Sequence, residues 1–197
     1  MSIYYDELLK YYKEINMSRY RISQGNHYAD GLNFQPVFGK RKAKYTVRFT
    51  QSCLYDLGNN NQGDVNKLCG WGHFNHRANG VRFGWRCIQD KIELVGYLHV
   101  GPSLIRKGQH ITYRFNPILL LDIDVDYELI LSLDTSKEDH DEYFFGVLKD
   151  NAYIGRLIAT RSKLSWLQKA IGTTNYFYFG GDEVAPHDIY ATITEHE

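Results

Sequence analysis

The sequence predicts a mainly β protein: a two-sheet antiparallel β-sandwich preceded by an N-terminal α-helix. Three observations predict it. Beyond residue 40, apolar and polar residues alternate with a period of two through segment after segment, which lays each apolar set on one face of a sheet. Turn signals, rather than long helical stretches, separate these segments. Aromatic residues make up 15% of the chain, with 16 Tyr and 10 Phe, and these types pack well on half-buried pleated surfaces. One sheet with that many strands would leave an apolar face in water, so two packed sheets are expected.

The elements follow in order. Ser2 can cap a helix over 3–15, where Ile3, Leu8, Leu9, Tyr12 and Ile15 recur at helical spacing and Asp6, Glu7, Lys10, Lys13 and Glu14 keep one face wet. Residues 17–40 hold Gly25, Gly31, Pro36 and Gly39 without a regular period and read as a loop with short extended pieces. Residues 1–40 thus form an appendage to a sandwich domain over 41–197. In 44–50, Tyr45, Val47 and Phe49 share one face; in 81–88, Val81, Phe83, Trp85 and Cys87 do; in 92–100, Ile92, Leu94, Leu98 and Val100 do. The same reading turns Ile111, Tyr113 and Phe115 inward over 109–115. Turns at Gln89-Asp90 and around Lys107-Gly108 make a meander of the last three segments. Further strands are expected near 118–123, 127–133, 142–148, 152–159, 175–179 and 187–194, with a short helix within 162–171.

Composition narrows the function. The chain of 197 residues carries 23 basic and 23 acidic residues and a net charge of +0. General affinity for long nucleic acid needs an excess of positive charge over phosphate, and none is present. No apolar run approaches the ~20 residues that span a bilayer as a helix. The first sixteen residues mix acidic with apolar types, unlike the basic-then-apolar order of a secretory signal. Cys53, Cys69 and Cys87 are odd in number and widely spaced. Reduced thiols in a cytoplasmic protein, with no disulfide framework, zinc site or cofactor, are the expectation.

The polar face of the meander carries the candidate site. If the apolar sets point inward, Arg82, Arg86, Tyr97, His99, His110, Thr112 and Arg114 share the opposite face. Exposed strands more often carry Lys, Glu and Thr. Arginine offers a planar donor fork for carboxylate or phosphate, and tyrosine and histidine add stacking and proton transfer. Just upstream, Gly70-Trp71-Gly72-His73-Phe74-Asn75-His76-Arg77 reads as a glycine-rich loop that sets His73, His76 or Arg77 at the rim of that face. The His73/His76 spacing would suit a metal only on a helix, which these glycines oppose. Near the C-terminus, Gly180-Gly181 lacks the lysine and hydroxyl residue of a phosphate-binding loop and reads as the end of an aromatic strand. Asp182, Glu183, His187 and Asp188 follow in an acidic turn.

Val-Arg-Phe-Gly-Trp-Arg at 81–86, together with Tyr-Phe-Gly-Gly at 178–181 and Ala-Pro-His-Asp-Ile at 185–189, resembles proteins of gut bacteria and their phages. Over roughly 70–193 the chain is also similar to the concanavalin-like, jelly-roll β-sandwich of polysaccharide lyases. Lyases of that architecture work on a concave face bearing Arg, His and Tyr. The resemblance implies that Tyr97 or His99 removes a proton and that Arg82 or Arg86 neutralises a carboxylate. Three readings follow. The first is a β-sandwich that binds a small anionic ligand, a nucleotide signal or an acidic saccharide, in the host cytoplasm if phage-encoded, where sequestering a nucleotide would serve anti-defence. The second is a lyase or hydrolase acting on such a ligand, and the third a structural component of a viral particle. A homo-oligomer is compatible with each.

Overall fold

The computed structural model describes residues 18–31, 35–74, 79–101, 112–175 and 177–196. The helix expected over 3–15 lies outside the described residues, as do His76, Arg77, His110 and Ile111.

The described chain runs β1 (Arg19–Ile22), β2 (Pro36–Phe38), β3 (Lys42–Phe49), β4 (Asn66–His73), β5 (Gly80–Ile88), β6 (Lys91–Val100), β7 (Thr112–Leu121), β8 (Tyr127–Asp134), β9 (His140–Lys149), β10 (Ala152–Ser162), α1 (Trp166–Ala170), β11 (Ile171–Asn175) and β12 (Ile189–His196). Two antiparallel sheets result. Sheet A has the order β1-β12-β3-β8-β9-β10, and sheet B the order β2-β11-β4-β5-β6-β7. β1 and β2, within the segment read as an appendage, each take an edge of a sheet.

Alternation buries one face of each sheet against the other. Tyr45, Val47 and Phe49 of β3 and Leu129, Leu131 and Leu133 of β8 meet Val81, Phe83 and Trp85 of β5 and Leu94 and Leu98 of β6. Phe83 meets Phe145 of β9 edge-on, with ring centres 5.2 Å apart. Trp85 stacks on Phe177 at 5.7 Å and tilts against Phe49 at 5.6 Å, so one indole joins the sheets to the chain after β11. Gln89 and Asp90 both take positive φ, 49° and 58°, and close the β5–β6 hairpin as a two-residue turn whose twist suits the flanking strands. Asp150 and Asn151 do the same between β9 and β10. Cys53, Cys69 and Cys87 are buried free thiols.

Two expectations are overturned here. The first part of the segment read as a glycine-rich loop, residues 70–73, belongs to strand β4. Gly70 has a φ of 153°, and a Cβ there would fall 2.4 Å from the Val81 carbonyl oxygen, so glycine permits the close approach of β4 to β5. His73 therefore does not stand at the rim of the polar face. It follows Cys69 and Trp71 into the space between the sheets, where its Nε2 lies 3.0 Å from the Tyr143 hydroxyl.

The second correction concerns β7. Phe115, expected between the sheets, is 41% exposed on the outer face of sheet B. The cause is a β-bulge. Leu94 of β6 pairs with Leu119, but Val95 pairs with Pro117, leaving Ile118 as the extra residue. One inserted residue reverses the inward-outward sense on either side of it. Leu121 lies opposite Ile92 of the core, whereas Phe115 lies opposite Tyr97. Arg114, opposite the core residue Leu98, consequently leaves the polar face and is exposed on the other side of the strand.

Candidate functional site

The outer face of sheet B carries a groove of about 510 Å³ lined by residues of β4, β6, β7 and the segments around 64 and 180. Lys67 is its centre. It projects outward from β4, beside the bulge that turns both Leu68 and Cys69 into the core. Its ammonium lies 4.8 Å from the centre of the Tyr178 ring and 5.6 Å from that of Tyr97. Both are cation–π distances.

Local sequence explains how Tyr178 arrives there. The Lys67 N–H donates to the Tyr178 carbonyl at 2.8 Å, and the Tyr178 N–H donates to the Lys67 carbonyl at 3.0 Å. Gly180 then donates its N–H to the Asn66 side-chain oxygen at 2.7 Å. A Cβ at Gly180 would fall 2.3 Å from the Val65 carbonyl oxygen, and one at Gly181, where φ is 76°, would overlap the Asp64 carboxylate. The paired glycines thus let the chain press against residues 64–67. They position a tyrosine rather than cradle a phosphate.

Arg82 lies behind this pair. It is cross-strand from Tyr97 on the outer face and only 6% exposed. Its Nε and Nη2 are buried and make no hydrogen bond within the described structure. Burial pulls its pKa down to about 10. Burial first, and then the Arg82 charge, pull Lys67 down to about 8, against a smaller opposing pull from Asp64. Burial, with Tyr28 alongside, raises the Tyr178 phenol. Two desolvated cations so close together raise the local potential, because little water intervenes to screen them.

Of the residues expected at the site, the structure gathers Arg82, Arg86, Tyr97 and His99 on the outer face of β5 and β6. Tyr97 and His99 line the groove, their rings 5.1 Å apart. Arg86 is already engaged: its Nε donates to Glu93 at 2.6 Å, its Nη1 donates to the Gly63 carbonyl at 3.0 Å, and its guanidinium lies 5.3 Å from the centre of the Phe115 ring. His73 and Arg114 face elsewhere, as described above. Sequence reasoning missed Lys67, Tyr178 and Phe115 as site residues. A lone lysine inside the apolar run from Val65 to Trp71 was the signal available for the first. Asp64 and Asp182 also line the groove, and Asp64 acts on the Lys67 charge.

No family model matches the chain, and no curated protein matches it. Solved structures do, polysaccharide lyases among them. The alginate lyase AlyC3 superimposes with a TM-score of 0.57 at 9% identity, over 94% of this chain and 77% of that one. The PL-14 alginate lyase from Aplysia kurodai gives 0.51 at 17% identity, over 91% and 80%. The endo-β-1,4-glucuronan lyase from the fungus Trichoderma reesei gives 0.52 at 7% identity, over 91% and 72%. At such identities the likeness establishes the fold: this chain is similar to jelly-roll β-sandwich lyases across nearly its whole length.

Proposed function

We propose that the protein is a polysaccharide lyase that cleaves a uronate-containing chain by β-elimination in the groove around Lys67. The observation that carries this reading is the Lys67 ammonium held between the Tyr97 and Tyr178 rings, with the unpaired Arg82 guanidinium behind it. The shared fold supports the choice of reaction, and fold alone does not fix function.

The chemistry demands such a set. A base takes the proton from C5 of the uronate, next to the carboxylate. The electrons left behind form the C4–C5 double bond as the C4–O4 bond breaks, and O4 leaves with a proton. The difficult point is the C5 carbanion, which is stabilised when a cation neutralises the neighbouring carboxylate. Lys67 takes that role, and Arg82 adds field from beneath. Tyr97 and Tyr178, flanking the ammonium, are the proton carriers, and burial, which raises the Tyr178 phenol, suits that residue to keep its proton until O4 takes it. His99 and Phe115 extend the groove beyond Tyr97 and provide surface for adjacent sugars.

The test is incubation with alginate and with polyglucuronate, following the ultraviolet absorbance of the unsaturated uronate product. Turnover that disappears in Lys67→Ala and falls at least about a hundredfold in Tyr97→Phe or Tyr178→Phe is expected. Binding of either polymer without an unsaturated product would reduce the protein to a noncatalytic acidic-saccharide binder. Release of saturated sugars would make it a hydrolase.

A further inference from the structure

A second groove, of about 500 Å³, lies beside α1. We propose that it is an auxiliary binding site for an acidic polysaccharide chain, built on Trp166 and on Arg41, Lys163 and Lys169. The ligand class rests on the reading of the Lys67 groove, but the second site does not require that groove to be catalytic.

Trp166 is 78% exposed, a costly placement for the largest apolar side chain. It is nevertheless held on a firm base. Ser165 and Gln168 form a reciprocal capping box around the first turn of α1. The Gln168 carbonyl accepts from the Phe74 N–H at 3.0 Å, tying the helix to the end of β4. Lys169 pairs at 3.0 Å with Asp141, which is fully buried. With the backbone of α1 held in this way, the exposed indole offers a platform for a flat apolar partner, such as the C–H face of a pyranose ring.

Charge selects an acidic sugar. The lining has three cations and no carboxylate. Lys169 is answered by Asp141 from below. Lys163 donates to the Thr135 and Lys137 carbonyls, which orient its ammonium without neutralising it. Arg41 is exposed and makes no ion pair within the described structure. An arginine fork and an ammonium beside an aromatic platform match a ring that carries a carboxylate. Lys67 stands near the start of β4, and Phe74, which bonds to Gln168 of α1, follows its end, so about 20 Å of strand separates Lys67 from the helix that carries Trp166.

Affinity electrophoresis of the full chain through gels containing alginate, with dextran gels as the neutral control, tests the site. Alginate should retard the wild type, and Lys67→Ala should lessen that retardation without abolishing it. Trp166→Ala and Arg41→Ala should lower apparent affinity by about tenfold, as expected for loss of one stacked or charge-assisted contact, with unchanged thermal midpoints. Trp166→Ala should raise KM on polymer and leave the rate on short uronate oligomers unaltered. Retardation that Lys67→Ala abolishes and Trp166→Ala leaves intact would overturn the second site and keep the first. Trp166-dependent retardation in a protein without turnover would keep the second site and overturn the lyase reading. Equal retardation by dextran, or capture by phosphatidylserine vesicles without retardation by alginate, would overturn the assignment of an acidic saccharide.

Discussion

Lys67 and Tyr178 are joined twice: their backbones exchange both hydrogen bonds of an antiparallel pair, and the ammonium of one lies 4.8 Å from the ring centre of the other. A change that moves one backbone therefore moves the other, and the distance between cation and phenol is built into the main chain. Gly180 and Gly181 are what allow it. Gly181→Ala, which places a Cβ against the Asp64 carboxylate at a φ of 76°, is expected to lower both the thermal midpoint and kcat.

Lys67 is held at about 8, below the ordinary lysine value, chiefly by burial. Its folded-state pKa lies below its unfolded one, so the fold releases a proton between about pH 8 and 10.5 that the unfolded chain keeps. Stability gains from this group as pH rises through that window, and the gain is absent below pH 8. Lys67→Met should accordingly raise stability at pH 7 by on the order of 1 kcal/mol, discounted for partial exposure, while abolishing turnover. If the ammonium neutralises the substrate carboxylate, wild-type kcat/KM falls as pH rises past 8. A profile rising above pH 8 would instead make neutral Lys67 the base.

Arg82 is buried with two nitrogens unpaired, and such a cation costs stability that an apolar residue of similar size does not. Arg82→Met should keep or raise the midpoint of thermal unfolding. It should also weaken kcat/KM by about tenfold or more, because a field of one charge beneath the groove is lost. Loss of folding in Arg82→Met would make the residue structural.

Arg86 behaves differently. Its pairing with Glu93, with the Gly63 carbonyl as a second acceptor, makes it a clamp between β5, β6 and the segment before β4. Arg86→Ala should cost about 1–2 kcal/mol in denaturant unfolding, part of which Glu93→Ala restores in the double mutant, since the stranded carboxylate is then also gone. Trp85→Ala, on the inner side of the same strand, should cost about 3–5 kcal/mol.

His73 sits between the sheets with its pKa lowered to about 4, chiefly by burial and next by Arg161. The folded pKa is again below the unfolded one. Its contribution is full above about pH 6.5, declines as pH falls, and is gone below pH 4. The midpoint of unfolding should drop across that window by the equivalent of about 2–3 kcal/mol. His73→Gln, which can still bond to Tyr143, should flatten the dependence.

How much of this was legible in the chain depends on where one residue can change a face. Alternation in β5 was unbroken, so Phe83 and Trp85 fell inside and Arg82 and Arg86 outside as read from sequence. In β7 the bulge at Ile118 reversed the pattern, and nothing in a run such as Phe115-Asn116-Pro117-Ile118-Leu119 marks which residue is extra, although Pro117 hints at it. β4 was hidden because its glycines imitate a loop until the neighbouring strands that need them are known. Tyr178 and Lys67 are far apart in sequence, and their meeting is a product of topology. The arginines, Tyr97 and His99 were visible because they lie on consecutive, hairpin-linked strands.

β12 lies between β1 and β3 in sheet A. Until it is synthesised, those two strands have no common neighbour, and the inner side of β3, with Tyr45, Val47 and Phe49, waits beside an open edge. Assembly of this sheet must therefore wait for late-emerging chain, a nonlocal pairing of the kind that slows folding and leaves sticky edges exposed meanwhile. The nascent polypeptide should depend on chaperones for longer than its modest size suggests.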